Sequence, residues 1–297
     1  MSMSRVALRE GGVQVSQLVY GVWRFFNEPL NGQVKNVSRL IDLCLDLGIT
    51  SFDHADIYGG YRCEELFGQC MDPKRRQKIE LISKCSIRLP SPLRPENRLK
   101  SYDSSAAHIR ASVELSLKNL RTDYLDLLLL HRPDPLMDAD EVADTAMALK
   151  KEGKIRGFGV SNFLPAQMDL LQSRYPDALE TNQIEVHPLR ASVFFDGSLD
   201  HAQLHRYRPM AWSPLAGGRL VTTQPLAARM EELALAKGCS LEALALAWLL
   251  RHPAGIVPVL GSISESRLQA MALAPEIALD RETWFEILQL GLGGEIP

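Results

Sequence analysis

LVYGVWRFF, residues 18–26, is a short apolar, β-branched run that passes straight into aromatic residues. In an open doubly wound sheet that holds a dinucleotide, a G-x-G-x-x-G loop follows an early strand so that backbone amides can close on a pyrophosphate at a helix N-terminus. Neither the segment after residue 22 nor any later one contains that loop. If strands alternate with helices along this chain, the sheet is expected to close into a barrel.

The alternation is legible. Beyond residues 18–22, apolar runs recur as ITSF (49–52), IELIS (79–83), YLDLLLL (124–130), IRGFGV (155–160), LETNQI (179–184), PMAWS (209–213) and GIVPVL (255–260). Each has the length and continuity of a strand covered on both faces, and together they make eight. Between them VKNVSRLIDLCLDLG (34–48), SAAHIRASVELSLKNL (105–120) and ADEVADTAMALKKEG (139–153) carry apolar residues at helical spacing. Two of these end in Gly48 and Gly153, as glycine does just past a helix. The expectation is an α/β fold, a (β/α)8 TIM barrel with a short N-terminal β-hairpin and extra C-terminal helices, formed by one domain over residues 1–297. An open doubly wound sheet is the runner-up.

Composition sets outer limits. The 297 residues are 46% hydrophobic and 23% charged, enough to bury a sizeable core and far from disordered composition. Net charge is -3 with His neutral, and no run of like charges offers a footprint for nucleic acid or an anionic membrane. Cys44, Cys63, Cys70, Cys85 and Cys239 are odd in number and lack CxxC spacing, which suits free thiols in a reducing compartment. MSMSRVALREGG has no signal-like apolar core, and no run approaches the roughly 18 apolar residues of a membrane span. A soluble cytoplasmic protein is expected.

In a barrel of this kind the chemistry sits where the strands end. Asp53, Asp56 and Tyr58 follow the second strand, Lys84 the third, His131 the fourth, and Ser161 and Asn162 the fifth. Gln183 ends the sixth, Trp212 and Ser213 the seventh, and Ser262 follows the eighth. Each alone has a structural explanation. Together, an acid, a tyrosine, a lysine and a histidine on three successive strand ends would converge at the barrel mouth.

A tyrosine with an ordinary pKa near 10 donates a proton poorly at neutral pH unless a nearby cation favours its anion. Lys84 would supply that cation, with Asp53 holding it by an ion pair. Tyr58 is then a general acid for an oxygen that gains negative charge, and His131 donates a second hydrogen bond to the same oxygen. Carbonyl reduction is such a reaction.

Read further, the chain resembles the aldo-keto reductases, and among them the short-tailed bacterial members. The resemblance rests on GITSFDHADIYG, LISKC, DLLLLHRPDP, KIRGFGVSNF, ETNQIEVHP, AWSPLAGGRL and VPVLGSISESRL, in that order over nearly the whole chain. It implies a (β/α)8 barrel, a nicotinamide cofactor and a catalytic tetrad of Asp53, Tyr58, Lys84 and His131. It implies that Ser161, Asn162 and Gln183 bind the nicotinamide carboxamide and that Trp212 stacks on its ring. Ser213, Leu215, Gly217 and Arg219 would line the pyrophosphate. Ser262 and Arg267 match positions that hold an adenosine 2'-phosphate, so NADPH (NADP+) is the expected cofactor. The chain departs from the family pattern at Gly261, where many members have a phosphate-binding lysine, and at Ala270 and Met271, where Glu and Asn often hold the adenine.

Trp23, Phe25 and Phe26 are candidates for an apolar wall of the substrate pocket. The expected partner is a small carbonyl compound, with no nucleic acid, no membrane and no metal. Two rival readings are a cofactor-sensing regulatory subunit with little turnover and a metal-dependent hydrolase built on His54, Asp56, His131 and His187. The second lacks any HxH or HExxH spacing.

Overall fold

The computed structural model describes residues 3–297. Strands β1 (Arg5–Ala7) and β2 (Gln14–Ser16) pair antiparallel as the expected N-terminal hairpin. Then come β3 (Val19–Gly21), β4 (Ser51–Asp53), β5 (Glu80–Cys85), β6 (Ile87–Arg88), β7 (Ser101–Tyr102) and β8 (Leu125–Leu130). The series ends with β9 (Ile155–Ser161), β10 (Asn182–Glu185), β11 (Met210–Trp212) and β12 (Val257–Leu260). The eight strands read from the sequence are β3, β4, β5, β8, β9, β10, β11 and β12. They close into a parallel barrel in that cyclic order, so the fold is a (β/α)8 barrel.

The three helices read from apolar spacing form over Val34–Asp46, Ala106–Leu120 and Ala139–Lys151. Gly48 and Gly153 lie just beyond the first and third, with φ of 77° and 75°. The long connection 86–103, read as a loop, contains the small β6–β7 hairpin. At the C-terminal end, helices Glu265–Met271 and Arg281–Leu292 complete the outer layer. Helix Leu241–Leu250 is apolar on nearly every side because neighbours cover it. Its Trp248 lies against Trp284 of the last helix, each indole N-H donating to the other residue's carbonyl at 2.9 Å. Among the described residues no single helix is long and apolar enough to cross a membrane.

The two largest cores follow from the two-residue period of a strand. The larger lies between barrel and helices. The smaller fills the barrel with Val19, Ile82, Leu127, Leu129, Met210, Val257 and Val259, and the hairpin closes its lower end with Leu8 and Val15. Continuing the same alternation upward from Ile82, Leu129 and Met210 turns Lys84, His131 and Trp212 toward the mouth. Register sets their heights. Asp53 pairs with Ile82 and Lys84 with Leu129, so Lys84 and His131 each stand two residues beyond the position opposite their predecessor.

Candidate active site

Lys84 is the hub of the site. Its Nζ donates to both carboxylate oxygens of Asp53 at 2.8 and 2.7 Å, to the His54 carbonyl at 2.9 Å and to Tyr58 Oη at 3.1 Å. The ammonium is fully buried and the Asp53 side chain 3% exposed. Four oxygen contacts replace the water that burial removes, which is what a charge in a protein interior requires. Burial alone would lower the Lys84 pKa, but Asp53 and then Tyr58 outweigh it, and the net direction is upward. Lys84 is therefore a permanent cation.

Tyr58 comes from the short turn Tyr58–Tyr61 after β4. That turn needs glycine at position 59: φ is +60°, and a Cβ there would meet the Phe26 ring at 2.6 Å and Cys63 Sγ at 2.7 Å. The expectation that Lys84 brings the Tyr58 pKa below its ordinary value needs correction. Burial dominates and pushes it up, while Lys84 pulls down by less. Tyr58 thus holds its proton throughout the neutral range, with the Lys84 ammonium 3.1 Å from its hydroxyl oxygen.

His131 presents its ring edge to the Tyr58 ring at 5.8 Å between centroids. Burial, with Lys84, Arg132 and Lys100, drives its pKa well below the ordinary value, so the imidazole is neutral. A neutral imidazole has one N-H to offer. Among the described residues His131 Nδ1 is buried without a hydrogen-bond partner.

From Asp53 the strand ends form one chain of hydrogen bonds. Gln183 Nε2 donates to Asp53 Oδ1 at 2.9 Å. Ser161 Oγ donates to the Gln183 carbonyl at 2.8 Å and accepts from Asn162 Nδ2 at 2.7 Å. Asn162 Nδ2 also donates to the His131 carbonyl at 3.2 Å, and Trp212 Nε1 donates to Asn162 Oδ1 at 2.9 Å. Asn162 and Ser213 adopt positive φ, 62° and 49°, although neither is glycine. Such strain gathers where surrounding contacts over-determine a site.

These residues fit a nicotinamide. Asn162 has both amide hydrogens committed and one lone pair of Oδ1 left to accept from a carboxamide. The loop after β11 fits a pyrophosphate. Ala216, Gly217 and Gly218 all have positive φ, and nothing lies within 4 Å of a Cβ built at either glycine, so the loop surface is open there, while the Ala216 and Gly218 amides donate to the Ser213 and Leu215 carbonyls at 2.8 and 2.9 Å. Leu215 packs on the main core beneath that loop. Arg219 Nε donates to the Ala216 carbonyl, which ties its side chain to the loop itself.

Ser262 and Arg267 flank the N-terminus of helix Glu265–Met271. Ser262 Oγ accepts from the Ser264 amide at 3.3 Å, and Arg267 is held 3.7 Å from Glu242 Oε1. A residue overlooked in the sequence is Arg24, whose Nη1 donates to the Gly261 carbonyl at 2.9 Å. It brings a guanidinium to the position where the family pattern has lysine. The available signal was a charge inside the aromatic run WRFF.

The proposed substrate wall is only partly met. Trp23 is 58% exposed and stands edge-on to Tyr58 at 4.9 Å. Phe25 is completely buried, lying roughly parallel to Tyr20 and Phe67 with centroids 6.3 Å from each, so it belongs to the core rather than to a pocket. Phe26 lies under the Arg62 guanidinium. His54 turns away from the mouth to pack edge-on against Phe67 at 4.5 Å, and His187 contacts Glu185. Among the described residues His54, Asp56, His131 and His187 do not gather into a metal-binding group.

Comparison with known proteins shows the family to which the chain belongs. The sequence model described as the Aldo/keto reductase family matches residues 17–291. The chain is 47% identical to an uncharacterized oxidoreductase, YcsN, of Bacillus subtilis, over 99% of this chain and 100% of that protein. It is 43% identical to a 6-dehydroglucose reductase of Agrobacterium fabrum, with the same coverage. In three dimensions it is similar to the thermostable aldo-keto reductase Tm1743, crystallised with the inhibitor epalrestat. The TM-score is 0.85 at 26% identity, covering 97% of this chain and 100% of that one. The chain belongs to the aldo/keto reductase family and is an oxidoreductase.

Proposed function

We propose that the protein, acting as one barrel domain over residues 1–297, reduces an aldehyde or ketone to the alcohol with NADPH, Tyr58 serving as general acid. The observation that carries this reading is Lys84 Nζ, which bridges the buried Asp53 carboxylate and the Tyr58 hydroxyl beside a neutral His131. When bound, a reduced nicotinamide supplies a hydride to the carbonyl carbon. The chain's own residues supply the rest. Tyr58 Oη gives its proton to the carbonyl oxygen, Lys84 stabilises the resulting phenolate, and Asp53 keeps Lys84 in place. His131 donates its single N-H to the same oxygen, in keeping with an Nδ1 that has no hydrogen-bond partner among the described residues.

Asn162, Ser161 and Trp212 would orient the nicotinamide, with Gln183 acting through Asp53. Ser213, Leu215, Gly217 and Arg219 would border the pyrophosphate. Ser262 and Arg267 would hold the 2'-phosphate, joined by Arg24. A guanidinium fork suits a phosphate better than a ribose hydroxyl, which favours NADPH over NADH. The similarity to 6-dehydroglucose reductases suggests a dehydro-sugar as substrate, met by Trp23 at the mouth. The cytoplasm is the compartment we expect, in keeping with five free thiols.

The test follows loss of NADPH absorbance over a panel of aldehydes and ketones that includes 6-dehydroglucose. Tyr58→Phe is the control, expected to lose about 10²- to 10⁴-fold in kcat while still binding NADPH. Wild-type protein that binds NADPH yet turns over nothing would overturn this reading in favour of a cofactor sensor.

A further inference from the structure

His201 lies on helix Ser198–Leu204 and His205 at its C-terminal cap, four residues on, so both imidazoles share one helix face. Facing them from helix Pro165–Gln172 is Asp169. Its Oδ1 lies 3.0 Å from His201 Nε2 and 3.5 Å from His205 Nε2. One ligand atom from each residue lies within 4.8 Å of the other two. A tetrahedral zinc ion with N and O ligands at about 2.0–2.1 Å has ligand-to-ligand edges of roughly 3.3 Å, and the two measured separations straddle that value.

The surroundings fit an ion as well. Among the described residues Asp169 forms ion pairs only with these two histidines, so no lysine or arginine competes for its carboxylate. His201 Nδ1 lies 3.0 Å from Tyr207 Oη, which itself donates to Met168 Sδ at 3.3 Å. A hydroxyl that gives its hydrogen to sulfur leaves its oxygen free to accept from His201 Nδ1, and in that tautomer the lone pair of Nε2 points at Asp169. That is the tautomer a metal-ligating histidine adopts when its other nitrogen is held by an outer partner. A lone pair and a carboxylate oxygen 3.0 Å apart repel unless a cation or a proton lies between them. The side chains of His205 and Asp169 are 42% and 57% exposed, which opens a path from solvent and room for a water ligand.

We propose that Asp169, His201 and His205 bind one divalent first-row transition ion, with zinc as the expected occupant and water completing the tetrahedron. The ion would tie two outer helices together, on residues separate from those assigned to the reductase chemistry. Imidazole and carboxylate suit zinc, and affinity along the first-row series rises to copper and falls again at zinc.

The experiment uses the full chain without a purification tag, treated with EDTA, dialysed, and titrated by calorimetry with zinc chloride. A parallel titration with Co²⁺ follows the visible absorption of a tetrahedral site. One ion per chain is expected, with a tetrahedral Co²⁺ spectrum. His205→Ala and Asp169→Asn should each weaken binding by at least about 10-fold. These two exposed positions are chosen because His201 packs against Tyr207 and its loss could disturb folding. Carbonyl reductase activity of His205→Ala should equal that of wild type. Absence of zinc binding, or binding equally tight in both variants, would overturn the proposal and leave a shared proton between His201 and Asp169.

Discussion

Replacing Lys84 with methionine shortens the side chain by one atom and removes its charge, which separates what the ammonium does for folding from what it does for Tyr58. The Lys84–Asp53 pair is buried, at 0% and 3% exposure, with oxygens 2.7 and 2.8 Å from Nζ. Removing one partner of such a pair costs about 3–5 kcal/mol, because a carboxylate is left without its counter-ion. Gln183 still donates to Asp53 Oδ1, so the lower end, about 3 kcal/mol, is expected. At an unfolding entropy of about 2 cal/mol/K per residue, 297 residues give roughly 0.6 kcal/mol/K, and Tm should fall by about 5 °C. Activity should fall further, by about 10²- to 10⁴-fold, because the Tyr58 phenolate loses its stabilising cation. Adding Asp53→Asn removes the stranded charge. The double variant should regain most of the stability and none of the activity. Two measurements decide this: thermal unfolding, and NADPH oxidation with the best substrate from the panel. Activity of Lys84→Met within a few-fold of wild type would refute the proton-donor role of Tyr58. A double variant as unstable as the single one would refute the charge-pair account of the stability loss.

Two further outcomes follow from the same geometry. His54 is fully buried, and burial followed by Lys84 lowers its pKa to about 3. The unfolded chain, with an ordinary histidine pKa near 6.5, then binds more protons than the folded one below that pH. Stability is therefore present above pH 6.5 and lost as pH falls toward 3. Between pH 6.5 and 4.5 wild type should lose about 2 kcal/mol more than His54→Leu in urea unfolding, and equal losses would contradict the burial argument. For the cofactor, Arg267→Ala should raise KM for NADPH by about 10-fold, leaving kcat and KM for NADH unchanged. Equal effects on both cofactors would mean that Arg267 supports the helix rather than a 2'-phosphate.

Much of this protein was readable before any coordinates. Strand and helix periods differ, 2 against 3.6, so eight buried strands and the main helices announce themselves locally, and the lack of a glycine-rich loop after Val22 favours the barrel over the open alternative. The same period carries Lys84 and His131 inward, because each continues a row that begins with Ile82 or Leu129. Properties that depend on neighbours distant in sequence were not readable. Phe25 looked like a pocket wall and is core, since nothing local says that Tyr20 and Phe67 enclose it. Tyr58 was expected to have its pKa lowered by Lys84. Burial raises it instead, and desolvation is set by the whole barrel. Asp169 and the pair His201–His205 lie 32 to 36 positions apart in residues that carry no motif, and packing of two outer helices alone brings them within reach. Local chemistry and periodicity thus determined the architecture and the identity of the polar strand ends. Distances, protonation states and the encounter of separate helices came from tertiary packing, because solvent exclusion and cross-helix contact exist only once the chain has closed.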